Sequence, residues 1–297
     1  MSHKEPRLRV AVSVGAVGVL LTACSGATAS PGIVDSLGSA GGSSAGATST
    51  SAAPAPILSH VHNVAVLGDA TLHGTHQGLW SRSGSGSWTR LSEPPFDVMA
   101  LTRSGDRLLA SGHPGPQAPG PSDLGLMESL DGGRTWTPVS LGGEADFHRL
   151  AASGSTVLGI TASGGSLLRS DDGGRSWTAL GTAGLYDLAL SPSDTSLVVA
   201  TTPTGLVRSR DAGASFQRVA AAPRLALLAW SAATLYGLTP NGAVHASTDG
   251  GMTWEERGAL AAVPSALAAD GDLLAAWADG GLFRSADGGR SFDLLPI

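Results

Sequence analysis

Three regimes of hydrophobic and polar residues follow one another along the chain. An uncharged apolar run, Val10 to Leu21, comes after a basic start carrying Lys4, Arg7 and Arg9. Residues 25–56 are nearly all Ser, Gly, Ala, Thr and Pro. From Ile57 to Ile297, short apolar stretches alternate with turns rich in Gly, Asp and Ser. The first run is too short to span a bilayer by itself, and the second region has too little apolar surface to offset the entropy of ordering. Only the third can bury a sizeable core. The expected division is therefore 1–23, a secretory signal; 24–56, a flexible tether; and 57–297, the folded domain.

The third region repeats itself. Five segments share Ser-x-Asp-x-Gly-x-Ser/Thr-aromatic: Ser129 to Trp136, Ser170 to Trp177, Ser209 to Phe216, Ser247 to Trp254 and Ser285 to Phe292. A worn copy, Ser81 to Trp88, stands first, with Ser83 in place of the aspartate. The aspartates at 131, 172, 211, 249 and 287 are 41, 39, 38 and 38 residues apart. Ser83 lies 48 residues before Asp131, the surplus falling in the Pro/Gly-rich stretch His113 to Pro121. Short strands flank each motif, as in Gly205 to Arg208 before and Phe216 to Val219 after, which makes it a hairpin turn. Its aspartate can accept backbone N–H groups, and its glycine supplies the positive φ.

Each repeat reads as four strands; in the second they are Val98–Thr102, Arg107–Ser111, Gly125–Ser129 and Thr135–Val139. A period of about forty residues with four strands suits a propeller blade. The expected fold is all-β, a six-bladed β-propeller.

Charge narrows the partners without naming one. The chain carries −6 at pH 7, Lys4 is its only lysine, and no basic stripe forms, so nucleic acid is not an expected partner. Cys24 is the only cysteine, which rules out an intrachain disulfide.

Aligning the predicted first strands on a recurring apolar-Ala pair places His62, Asp97, His148, Tyr186, Ala226 and Ser265 at one equivalent position. His60, Asp146 and Arg224 stand two residues earlier, on the same side by strand alternation. Loops of the same face add His76 and His113, with Glu144 close by. Five of the seven histidines outside the signal, at 60, 62, 76, 113 and 148, thus map to one mouth of the channel. Three readings follow. In a glycan-hydrolysing pocket Asp97 or Glu144 would be the acid/base, with histidines and Arg224 positioning substrate. In a divalent-metal site His60 and His62 share a strand face, with His148 and Asp97 or Asp146 completing the shell. In the third, the ring is a solvated channel lining or a binding surface. The alignment depends on register, since a slip of one residue turns every side chain over.

Several segments resemble known families. Leu21-Thr22-Ala23-Cys24 resembles the lipobox of bacterial lipoproteins, whose cysteine takes the lipid and becomes the mature N-terminus. That implies a membrane partner through Cys24 and a location on the outer face of the cytoplasmic membrane. The five repeats match the Asp-box, or BNR, motif, which is structural where it occurs; this assigns structural roles to Asp131, Asp172, Asp211, Asp249 and Asp287. From His60 onward the chain resembles bacterial Asp-box glycosylhydrolases of the sialidase-like superfamily. The resemblance rests on His60-Val61-His62-Asn63-Val64-Ala65, Thr75-His76-Gln77-Gly78-Leu79, Ala110 to Pro116, Leu124 to Ser129 and Gly143-Glu144-Ala145-Asp146-Phe147-His148. It implies glycosidase ancestry and a glycan or another envelope protein as ligand. Sialidases use an arginine triad, an aspartate acid/base and a tyrosine nucleophile paired with a glutamate. Here Tyr186 has no evident glutamate, Tyr236 falls in a second strand, and of the arginines only Arg224 points inward, with Arg149 one residue out of phase. True sialidase chemistry is therefore not expected. Asp-box propellers also resemble photosystem assembly factors and sorting-receptor ectodomains, which bind proteins.

Overall fold

The computed structural model describes residues 58 and 60–296, except 117, 163, 164 and 183. The expected signal, Cys24 and the tether lie outside them. Every regular element among the described residues is a β-strand.

Six four-stranded antiparallel sheets follow in chain order. Blade 1 holds β1 (Val61–Leu67), β2 (Ala70–Thr75), β3 (Gly78–Ser83) and β4 (Thr89–Arg90); blade 2 holds β5 (Asp97–Ser104), β6 (Arg107–His113), β7 (Leu126–Ser129) and β8 (Thr137–Ser140). Blade 3 is β9 (Phe147–Ser153), β10 (Thr156–Thr161), β11 (Ser166–Ser170) and β12 (Thr178–Thr182); blade 4 is β13 (Asp187–Leu190), β14 (Val198–Thr202), β15 (Gly205–Ser209) and β16 (Gln217–Arg218). Blade 5 is β17 (Leu227–Ser231), β18 (Thr234–Leu238), β19 (Ala243–Ser247) and β20 (Glu255–Ala259); blade 6 is β21 (Pro264–Asp270), β22 (Leu273–Ala278), β23 (Gly281–Ser285) and β24 (Asp293–Leu295). The first strands touch in order around the ring, β21 returning to β1, so the molecule is a six-bladed β-propeller.

Burial follows the layers. The second strands are covered on both faces: β10 is buried throughout, β2 and β22 after their first residue and β6 between its end residues, whereas β4 and β16 are exposed. Apolar side chains form six clusters, one at each seam between neighbouring blades. The seam between blades 6 and 1 closes the ring by packing, with no strand exchanged: Val61, Val64 and Val66 meet Ala266, Ala275, Trp277 and Leu282. The Arg82 guanidinium adds a hydrogen bond to the Pro296 carbonyl across it.

The repeated turn works as a joint between blades. In its second-blade copy Asp131 Oδ1 accepts the Ser129 hydroxyl at 2.8 Å and the amides of Arg134 and Thr135 at 3.0 and 2.9 Å. These bonds, the Thr135 amide first, hold the carboxyl below the ordinary aspartate range. Trp136 Nε1–H donates to the Gly133 carbonyl at 3.0 Å, folding the indole over the turn. Gly174, in the third-blade copy, has φ +91°, and a Cβ there would lie 2.1 Å from Leu126 Cδ2 of the preceding blade. Glycine is thus required twice, for the dihedral and for the approach. In the worn first copy, Trp88 Nε1 is buried without a hydrogen-bond partner.

Candidate functional site

The first strands line a channel of about 280 Å³ with successive residues, among them Val64-Ala65-Val66, Leu150-Ala151-Ala152 and Leu188-Ala189-Leu190. Alternation does not sort them because the innermost strand shows the channel its edge, while its side chains reach towards the blades on either side. This corrects the expected placement of two residues. Arg149 lines the channel, whereas Tyr186 is 61% exposed ahead of β13 and Asp187 takes the channel position beside it. Leu and Ala of the lining are joined by Arg103, Arg149, Asp187 and Asp270, so charged groups stand in the channel as well as at its rim.

At the leading ends of the first three blades, buried anchors alternate with polar residues. Val61 is buried between His60 and His62, Phe96 and Val98 flank Asp97, and Ala145 and Phe147 flank Asp146. Phe147 packs where a side chain on Gly159 would clash, a Cβ there lying 2.4 Å from its ring. The bulges then decide the rest. In β1 the pairing skips His62, and in β9 it skips His148; Met99 and Ser265 are the skipped residues of β5 and β21. A bulge releases one residue from the ladder and re-aims its side chain. The first-strand pairings of blades 4 and 5, β13 with β14 and β17 with β18, keep unbroken registers.

Two histidine–carboxylate groups result. In the first, His76 comes from the turn between β2 and β3, where Thr75 Oγ1 accepts the Gln77 amide at 3.0 Å and donates to the Gly78 carbonyl at 2.9 Å. His76 Nδ1 is 2.7 Å from Asp97 Oδ2, and His62 Nε2 is 3.4 Å from His76 Nδ1 and 3.8 Å from Asp97 Oδ1. Asp97 Oδ1 is buried and accepts no hydrogen bond among the described residues. In the second group, His148 Nε2 is 2.9 Å and His113 Nε2 3.7 Å from Asp146 Oδ2, and Asp146 Oδ1 is likewise buried without a hydrogen-bond partner. His113 Nδ1 donates to the Ser122 carbonyl at 3.0 Å, which ties it to the Pro/Gly-rich loop.

The groups adjoin. Burial first, then neighbouring His76, lower the His62 pKa against the opposing pull of Asp97, and His148 and His60 push the same way. All five histidines therefore stand together over blades 1 to 3.

Other expected residues sit elsewhere. Glu144 is exposed in the turn before β9, with no side-chain bond found among the described residues. Arg224 is exposed, its guanidinium donating to the Pro203 carbonyl at 3.2 Å, so it does not reach into the channel. The expected ligand set of His60, His62 and His148 is divided: His62 groups with His76 and Asp97, His148 pairs with Asp146, and the His60 ring lies 5.4 Å from that of His76. Tyr236 is buried in β18, as a second-strand position implies, and its hydroxyl donates to Asp272 Oδ1 at 3.1 Å.

Sequence reasoning missed two polar residues, Asp187 and His73, and set Arg149 aside as out of phase. Arg149 Nε lies 3.4 Å from Asp187 Oδ1, and Asp187 Oδ2 accepts the Leu228 amide at 2.8 Å. Burial raises the Asp187 pKa, with Arg149 opposing. His73, fully buried in β2, is pushed to a pKa of about 3 by burial first and Arg82 second. Alternation flags neither Asp187 nor His73, since β13 is buried throughout and β2 after its first residue.

No protein-family model matches the chain, and no curated protein matches its sequence. Solved structures do share the fold. A GH74 xyloglucanase from Xanthomonas campestris aligns with 80% of the chain at 21% identity and a TM-score of 0.52; the match spans only 45% of that enzyme. A chain of a nidogen–laminin complex aligns with 75% of the chain and 92% of its own length at 12% identity, TM-score 0.59. YCF48 bound to a D1 peptide aligns over 81% and 82%, at 17% identity and TM-score 0.50. These likenesses show a propeller shared by glycoside hydrolases and by binding proteins.

Proposed function

We propose that the chain is a lipid-anchored, extracytoplasmic propeller of the Asp-box type that binds a glycan at its histidine-lined mouth. The observation that carries this reading is the pairing of Asp97 and Asp146, each with two imidazoles, at one rim. Fixed carboxylates and imidazoles suit an array of sugar hydroxyls, since each can accept or share a proton. Tyr186, exposed at the leading end of blade 4, offers an aromatic face for the apolar side of a sugar ring. Binding is favoured over hydrolysis by the same geometry. A glycosidase of the usual kind needs two carboxyl groups flanking the bond, one of them free to hold a proton. Asp97 and Asp146 both stand against imidazoles, and Glu144 and Tyr186 lie exposed outside the two groups.

A glycan array probed with the full chain, run beside fluorogenic glycosides, tests the reading. The expected result is retention of a glycan class without turnover. Tyr186→Ala and His148→Ala should each weaken retention by about tenfold while leaving the melting temperature nearly unchanged. Turnover that Asp97→Asn abolishes would make the protein a hydrolase. Absence of any glycan binding, together with a stoichiometric protein partner from solubilised membranes, would make it a protein-binding propeller.

A further inference from the structure

We propose that His62, His76 and Asp97 form a binding site for one divalent transition-metal ion of the imidazole-preferring kind, such as Zn²⁺ or Cu²⁺. This goes beyond glycan recognition: it shares Asp97 and its two imidazoles with that reading but is tested by a different measurement. The three residues come from three separate places in the chain, the bulge of β1, the turn between β2 and β3, and the start of β5, and their ligand atoms lie within 4.8 Å of one another.

Hydrogen bonding alone leaves the group incomplete. His76 Nδ1 and Asp97 Oδ2, at 2.7 Å, satisfy each other. His62 Nε2 is left facing His76 Nδ1, a nitrogen already committed, at 3.4 Å, and Asp97 Oδ1, although buried, has no hydrogen-bond partner among the described residues. A buried carboxylate oxygen without a partner is costly, and a cation removes that cost.

The spacing fits such an ion. Donors at roughly 2.0–2.1 Å from a tetrahedral Zn²⁺ stand about 3.4 Å apart. The His62–His76 separation already has this value, and His62 Nε2 to Asp97 Oδ1 is 3.8 Å. Taking up the ion on Asp97 Oδ1 breaks the His76–Asp97 Oδ2 hydrogen bond and draws His62 Nε2 and Oδ1 together by about 0.4 Å on the same tetrahedral geometry. The donor set selects the metal. Two nitrogens and one carboxylate suit Zn²⁺, Cu²⁺ or Ni²⁺, whereas Ca²⁺ and Mg²⁺ need all-oxygen shells. Three protein donors leave a position for water or a ligand group, as in reactive rather than purely structural zinc sites. The fold pre-organises the three: Val61, Phe96 and Val98 anchor the strands that carry His62 and Asp97.

The test titrates the full chain, without an oligohistidine tag and after chelator treatment, with Zn²⁺ by calorimetry and with Cu²⁺ by pulsed electron paramagnetic resonance. The expected result is one tightly held ion coordinated by two imidazoles. His76→Ala, a change at an exposed turn, should cost about 100-fold in affinity and remove one imidazole signal. Asp97→Asn should weaken binding by at least about tenfold. His245→Ala, in β19 and outside both groups, should leave affinity and imidazole count unchanged. Failure of the wild type to bind either ion, or binding that survives both His62→Ala and His76→Ala, would overturn the proposal. Neither outcome bears on the glycan array, so the two readings fail separately.

Discussion

Lowering the pH from 7 to 5 should cost the folded propeller about 2 kcal/mol through His73 alone. His73 lies in β2 at 0% exposure, its ring 4.7 Å from Trp88 and 5.5 Å from Trp277. The Thr71 hydroxyl donates to the Arg82 carbonyl, so His73 Nε2–H donates to Thr71 Oγ1 at 3.1 Å, and Nδ1 is buried without a partner. Burial away from water, and then the nearby Arg82 guanidinium, disfavour the charged ring, and the folded pKa falls to about 3. The unfolded chain takes up the proton near pH 6.5 and the folded one does not. Between these values the unfolded state binds more protons, so stability is full above pH 6.5. It falls by about 1.4 kcal/mol per pH unit below that value, and the loss ends near pH 3. The repeat-turn aspartates, whose pKa values lie below the ordinary range, act below about pH 4 and leave the interval from 7 to 5 clear. Urea denaturation followed by tryptophan fluorescence at several pH values would read the slope. His73→Gln removes the titration and keeps a hydrogen-bonding group. Wild type should lose about 2 kcal/mol more than the variant over that interval. Parallel losses in the two proteins would refute the assignment.

Two further outcomes follow from the packing. Gly174→Ala should cost about 3 kcal/mol, since its Cβ would overlap Leu126 at a left-handed φ, whereas Gly154→Ala, at φ +57° with nothing within 4 Å, should cost only about 1 kcal/mol. Equal shifts in melting temperature would show that the turn does not brace the neighbouring blade. Arg149→Met should destabilise by about 2–3 kcal/mol at pH 7.5, because it leaves Asp187 buried and uncompensated. That penalty should shrink towards pH 5. The Asp187 pKa, already raised, rises further without Arg149, so the folded state holds the proton more tightly and loses stability as pH increases. A penalty independent of pH would show that the ion pair contributes nothing.

The fold was legible because its cause is local and repeated. A hairpin turn needs an acceptor for its amides and a residue free to take positive φ, and Asp and Gly supply these at Asp131-Gly132-Gly133 and its copies. The period then fixes the number of blades, and the four strands expected in the second blade match β5 to β8 to within three residues. The mouth was legible only in part: His62 and His148 do hold equivalent bulge positions, but the equivalent residue of blade 2 is Met99, so Asp97 stands level with His60 and Asp146 and not with His62 as the alignment placed it. Residue partnership was not legible. Whether His62 meets His148 or His76 depends on bulges of one residue in β1 and β9, which no alternation pattern announces. The inner strands turn an edge to the channel, so Arg149 and Asp187 line it where a facing rule placed Tyr186. The repeat in the sequence therefore determined the ring and its histidine-bearing end. Tertiary structure alone decided which carboxylate each imidazole meets, because those distances depend on how blades pack and where their ladders slip.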